Sequence, residues 1–263
     1  MKKQLNLFWV ALMFYTRIPC PKNLDYSPEN LNKATRYFPI IGWLVGAASF
    51  IVFYIFQFVV PTELAVLLSL VTGILITGAF HEDGLADFFD GFGGGWSKEK
   101  ILDIMKDSRV GTYGMVATIL SLSIKYFCLV HLVELIGIDH IALLSLIFIA
   151  YHSLARFTAI QICFLLDYVR DDEKSKAKPI AKKQTHWEKI GVYTFGLIPL
   201  LVLCFYKQEW LLTLLPLYGL VFYFKYYLNK WIGGYTGDCL GALEQLAESV
   251  TLISFIVLWN CIL

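Results

Sequence analysis

Seven apolar stretches dominate the chain: about 39–60, 64–81, 113–137, 141–166, 190–206, 210–228 and 240–263. Each approaches the roughly 20 residues a helix needs to cross a bilayer. In hydrocarbon every backbone N–H and C=O must be paired within the protein, so stretches of this length read as helices. Composition agrees: only 16% of the 263 residues are charged and 57% are hydrophobic, where soluble domains carry roughly 25% charge. The expected architecture is an all-α integral membrane protein, a polytopic helical bundle of about seven transmembrane helices forming a single membrane domain over 1–263. No segment repeats at a fixed period. The start, Lys2-Lys3 and then Leu5 to Phe14, lacks a cleavage site before Arg17 and reads equally as an interfacial helix or a further crossing.

The connections alternate in character. Those near Pro61, Asp139 and Gln208 are short and poor in charge. The others hold most of the Lys and Arg: the N-terminal arm, the 82–112 loop, the 167–189 loop and a turn around Lys230. By the positive-inside rule this second set faces the cytoplasm. Seven crossings then put the C-terminus outside, and the cell inner (cytoplasmic) membrane is the expected location. The lysines of 167–189 offer a surface to anionic membrane lipids. A net charge of +1 decides nothing about partners. No nucleic acid is expected, and an oligomer is compatible with the chain. Six scattered cysteines without C-x-x-C spacing read as packing residues.

The chemistry concentrates in His81-Glu82-Asp83-Gly84-Leu85-Ala86-Asp87-Phe88-Phe89-Asp90, followed by glycines up to Trp96. On a helix Asp83, Asp87 and Asp90 fall at i, i+4 and i+7 and share a face. Like charges so placed repel unless a cation lies between them, and oxygen donors without His or Cys point to Mg²⁺. The metal candidates are Glu82, Asp83, Asp87 and Asp90, completed by Asp107. The catalytic candidates are Asp83, Asp87, Asp90 and Asp107. An acidic loop that merely helps set topology is the plain alternative.

A second cluster surrounds Asp103, Lys106, Asp107 and Arg109. It reads either as a solvated amphipathic helix or as a partner to the first, with Lys106 and Arg109 on phosphate. A third, Gly233-Gly234-Tyr235-Thr236-Gly237-Asp238, combines a flexible turn with a helix entrance. There Gly237 and Asp238 are phosphate-binding candidates, or Asp238 is simply an N-cap. Arg17 and Arg36 each bring a guanidinium to the membrane surface, for phosphate or for lipid headgroups. Within the apolar stretches Lys125, His131, Glu134, His152, Arg156 and Lys225 are costly and need partners. Arg156, which shares a face with His152, is the best functional candidate among them. An active site on the cytoplasmic face, built from 82–112, 167–189 and 229–239, is the resulting expectation. The chemistry is divalent-metal work on a phosphate-containing substrate.

The chain also resembles the adenosylcobinamide-GDP ribazoletransferase (cobalamin 5′-phosphate synthase) family. The resemblance is carried by Phe14 to Pro19, Arg36 to Gly46, Thr77 to Trp96, Ile104 to Gly114 and Gly233 to Ala242. It implies an Mg²⁺-dependent membrane transferase that joins α-ribazole, or its 5′-phosphate, to adenosylcobinamide-GDP and releases GMP. Under it Glu82, Asp83, Asp87 and Asp90 become metal ligands or base, with Asp107, Arg109 and Asp238 in the later motifs. The spacing is also similar to the CDP-alcohol phosphotransferase signature, so phospholipid synthesis is the alternative enzyme. It departs from that signature where Ala86 is followed by Asp87 instead of Arg. A transporter, suggested by the intramembrane Arg156, His152 and Glu134, is the alternative from another class.

Overall fold

Helices form every long element of the structure, a computed structural model that describes residues 2–170 and 185–262. In chain order they are α1 (Lys2–Tyr15), α2 (Pro28–Ala34), α3 (Phe38–Phe56), α4 (Thr62–Thr77), α5 (Phe80–Gly94) and α6 (Lys98–Ile104). There follow α7 (Thr112–Ile136), α8 (Ile141–Leu165), α9 (His186–Leu203), α10 (Leu214–Trp231) and α11 (Gly237–Ile262). Short 3₁₀ turns lead into α3, α8 and α10. The only extended pairing among the described residues is an isolated bridge between Tyr168 and Tyr235.

The protein is a polytopic all-α membrane protein, but the count of seven crossings is not confirmed. Five helical segments are long and apolar enough to span: Pro28–Phe56, Thr112–Ile136, Ile138–Leu165, Gln208–Trp231 and Gly237–Cys261. A sixth arises only if α4 and α5 are taken together across an 87° bend. The expected 64–81 crossing stops at Thr77, and the expected 190–206 crossing is the 18-residue α9, whose first turn is polar. The 14 residues of α1 reach about 21 Å at 1.5 Å each, too short to cross alone.

At the centre lies α8, whose run from Ala150 to Ile162 is buried on every side. Around it α3, α9, α10 and α11 pack their apolar faces, and α7 leans on α11. Large apolar side chains such as Leu75, Phe127, Leu215 and Phe222 remain exposed on the outer faces of α4, α7 and α10. Such a surface suits hydrocarbon rather than water.

Candidate active site

The bend before α5 creates the site. Gly78 and Ala79 both take left-handed backbone (φ 69° and 57°), and both amides donate to the Ile74 carbonyl, at 2.7 and 3.0 Å. A Cβ at Gly78 would stand 2.3 Å from Nε of Arg17, so a glycine lets that side chain lie over the corner. The Arg17 amide adds a 2.7 Å bond to the Ile76 carbonyl. Turned out of the α4 direction, α5 crosses α11 where Gly84 faces Gly241. A Cβ on either residue would come within 3.2 Å of the other's Cα. That close crossing brings the carboxylates of α5 beside the first turn of α11. With four carboxylates in its first eleven residues, α5 is not among the five helices long and apolar enough to span by themselves.

Asp83 is exposed and Asp87, one turn on, is half-buried. Burial, then the nearby Asp238 and Asp83 charges, push the Asp87 carboxyl from its ordinary value up to about 7; Arg170 opposes this and Asp90 adds to it. Asp83 and Asp238 thus stand within charge–charge reach of Asp87, and Arg170 Nη2 is 2.7 Å from Asp238 Oδ2. The third carboxylate of the expected stripe has a different task. Asp90 is buried, and its two oxygens accept from the amides of Gly111 (2.7 Å) and Gly114 (2.9 Å). It caps α7, whose N-cap, Gly111, has no side chain to do so. Asp90→Ala should therefore cost about 1–2 kcal/mol of stability and speed amide exchange at Gly111 and Gly114. An equal loss of Mg²⁺ affinity in Asp90→Asn would place this residue among the ligands instead.

Glu82 turns away from its neighbour Asp83, into the bundle. Its Oε1 accepts from Gln245 at 3.2 Å while Oε2, also buried, meets no hydrogen-bond donor among the described residues. Gln245 belongs to a polar network linking four helices. Lys125 on α7 donates to Gln245 (2.6 Å) and Glu248 (2.8 Å). On α8, Arg156 pairs with Glu244 at 2.8 Å, and His152 bonds Glu248. Arg156 also lies over the Phe38 ring, 5.8 Å from its centre. Glu82, Lys125, His152, Arg156, Gln245 and Glu248 line a small cleft beneath α5. Of the cations expected to need partners, Lys125, His152 and Arg156 have them, Arg156 being only 1% exposed and holding glutamates of α11, whereas Lys225 is exposed.

The remaining candidates lie elsewhere. Asp107 and Arg109 are clasped to each other through Nη2–Oδ2 at 2.6 Å, which holds the Asp107 carboxyl down to about 2. Lys106 is exposed on the same turn. Arg36 pairs with Glu188, which also completes a capping box with Thr185 at the start of α9. Gly237 opens α11 and lines a mostly apolar cleft of about 400 Å³ with Phe14, Tyr15, Phe38 and Phe80. Of the 167–189 loop, 171–184 lies outside the described residues. Arg170 lies in the basic 167–189 loop, within which the sequence did not single it out, and Gln245 was missed. The single signal for Gln245 was its place between Glu244 and Glu248 at helical spacing.

Whether the carboxylates suit a divalent ion is a matter of donor type and number. Among the described residues, no three His, Cys, Asp or Glu side chains stand close enough to form a ready-made cage. Mg²⁺ rarely needs one, since it is usually held by one or two carboxylates together with substrate phosphates. Asp83 and Asp87, all-oxygen and one turn apart, fit that role.

A profile described as cobalamin-5-phosphate synthase matches residues 7–256. The chain belongs to this family. A Leptospira interrogans protein named adenosylcobinamide-GDP ribazoletransferase is 40% identical, with 100% of this chain and 99% of the relative covered. Proteins of the same name from Shewanella amazonensis and Shewanella oneidensis are 43% and 46% identical, covering 98% and 94% of this chain and 98% and 92% of theirs. No solved structure matches.

Proposed function

We propose that this chain is an adenosylcobinamide-GDP ribazoletransferase. It joins α-ribazole or its 5′-phosphate to adenosylcobinamide-GDP and releases GMP at the cytoplasmic face of the inner membrane. One observation carries the assignment of the site: Asp83 and Asp87 of α5 meet Asp238 of α11 and Arg170 at a single end of the bundle. Family membership supplies the substrates, through the name its relatives bear.

Asp83 and Asp87 would hold Mg²⁺, which when bound neutralises the diphosphate and the leaving phosphate. The ribose hydroxyl of the ribazole attacks the phosphorus that bears the aminopropanol arm of the corrinoid. The bond from that phosphorus to the bridging oxygen breaks, and the oxygen leaves with GMP. A carboxylate oxygen of the α5 pair that the ion leaves free accepts the hydroxyl proton. Asp90 keeps α7 capped beside the pair, while Glu82 secures the first turn of α5 to α11. The half-burial of Asp87 removes competing water from one side of the reacting group.

Detergent-purified protein given Mg²⁺, adenosylcobinamide-GDP and α-ribazole should produce cobalamin and one GMP per turnover, and chelation should abolish both. Activity that persists unchanged in excess chelator would remove the metal role. Conversion of CDP-diacylglycerol in place of the corrinoid would remove the substrate assignment.

A further inference from the structure

Arg170 is the guanidinium paired with Asp238 at the acidic end of the bundle. It follows Val169, whose amide donates to the Tyr235 carbonyl at 3.0 Å, so the 167–169 strand is tied to the turn before α11. That tie delivers the guanidinium to the acidic end of the bundle. Its side chain is 13% exposed. Among the described residues its Nη2 donates to Asp238 Oδ2 at 2.7 Å and to the Met105 carbonyl at 3.3 Å. The buried Nε–H meets no acceptor among the described residues. A buried guanidinium edge with an unused donor, facing carboxylates, lacks an anion. Of the arginines expected to bind phosphate, Arg36 pairs with Glu188, Arg109 with Asp107 and Arg156 with Glu244, while the exposed Arg17 lies over Gly78 at the α4–α5 corner.

We propose that Arg170 binds the diphosphate of the nucleotide-bearing substrate, and that its bond to Asp238 is the substrate-free resting contact. This rests on the diphosphate substrate assigned above. In the resting state the guanidinium is a counter-ion to Asp238 and to the nearby Asp87. When a diphosphate enters with its divalent ion, the ion takes over the neutralisation of the carboxylates. The fork then presents two parallel N–H groups to non-bridging phosphate oxygens, a geometry lysine cannot copy. The same residue therefore has opposite effects on two ligands: as a neighbouring positive charge it weakens Mg²⁺ binding, and as a fork it strengthens diphosphate binding.

The test measures the two affinities separately. In detergent, Mg²⁺ binding without nucleotide and GDP binding at saturating Mg²⁺ are followed by calorimetry, with KM for adenosylcobinamide-GDP measured alongside. Arg170→Met should weaken GDP binding roughly 10- to 100-fold and raise KM, while Mg²⁺ binds as tightly as before or more tightly. Arg170→Lys, which keeps the charge, should return Mg²⁺ affinity to the starting value and leave GDP binding weak. Melting curves check that both variants are folded. If Arg170→Met weakens Mg²⁺ and leaves GDP binding intact, the residue only orders Asp238 and the proposal is wrong. If Arg170→Lys restores GDP binding in full, charge alone acts and the fork is refuted. Failure of the wild-type protein to convert adenosylcobinamide-GDP, with GDP binding still dependent on Arg170, would overturn the assigned reaction without touching this contact.

Discussion

Asp87→Asn is expected to lower turnover by roughly 10³-fold while making the metal-free protein more stable at neutral pH. The two effects have one cause. Asp87 is half-buried beside Asp83 and Asp238, which holds its carboxyl at about 7 instead of its ordinary 3.8. Between those values the folded, metal-free protein binds more protons than the unfolded chain, so its stability falls as pH rises across that window. Below it the carboxyl is protonated in both states and imposes no penalty. Asn carries no charge and removes the slope. Melting in detergent with chelator should therefore show wild type losing stability from pH 5 to pH 7.5, with the variant nearly flat and higher at pH 7.5. Added Mg²⁺ should lift wild type at pH 7.5 and leave the variant almost unchanged, because only wild type offers both carboxylates. A wild type that becomes more stable from pH 5 to 7.5 without metal, or a variant that melts lower there, defeats this account.

The second large effect concerns the interior. Lys125→Met should cost about 3–5 kcal/mol, more than any single change to the exposed carboxylates. Lys125 is 3% exposed and donates to both Gln245 and Glu248. Its removal leaves Glu248 buried with less compensation and leaves Gln245 short of a donor. Three glutamates (Glu82, Glu244, Glu248) face only two permanent cations, Lys125 and Arg156, so losing a cation is worse than losing an acid. Glu248→Gln in the Lys125→Met background should recover part of the loss, and a double-mutant cycle on melting free energies measures the coupling. Additive changes would show that the two groups do not act together. Because Gln245 also holds Glu82 at the start of α5, Lys125→Met should lower turnover in the fraction that stays folded.

Much of this site was readable from residue types. The Asp83–Asp87 spacing announced one helical face, and α5 has that face because Gly84 and Gly91 leave its other side free to pack. Asp90 shares the stripe at i+7, yet its oxygens cap α7 across a separation of more than twenty residues. Spacing along one helix cannot report an acceptor's partner on another. Asp107 was grouped with the α5 acids because of its position in the chain. In the fold it holds the arginine two residues away, while Asp238 takes a place beside Asp87. Glu82 and Asp83 are adjacent letters, and 100° of helical rotation sends one inward and the other out.

What the sequence by itself determined is the solvent of the protein and the family it belongs to. Long apolar runs permit only internally bonded helices in a bilayer, and a dense group of carboxylates at their polar end calls for a cation. Both follow from local composition. Only the tertiary structure decided where the second apolar run ends, since two left-handed residues at Gly78 and Ala79 turn the chain through 87° there. It also decided which charges meet, because Arg170 reaches Asp238 across 68 residues and Lys125 reaches Glu248 across 123. Such pairings depend on how helices cross, and crossing is set by packing between distant surfaces rather than by the order of neighbours along the chain.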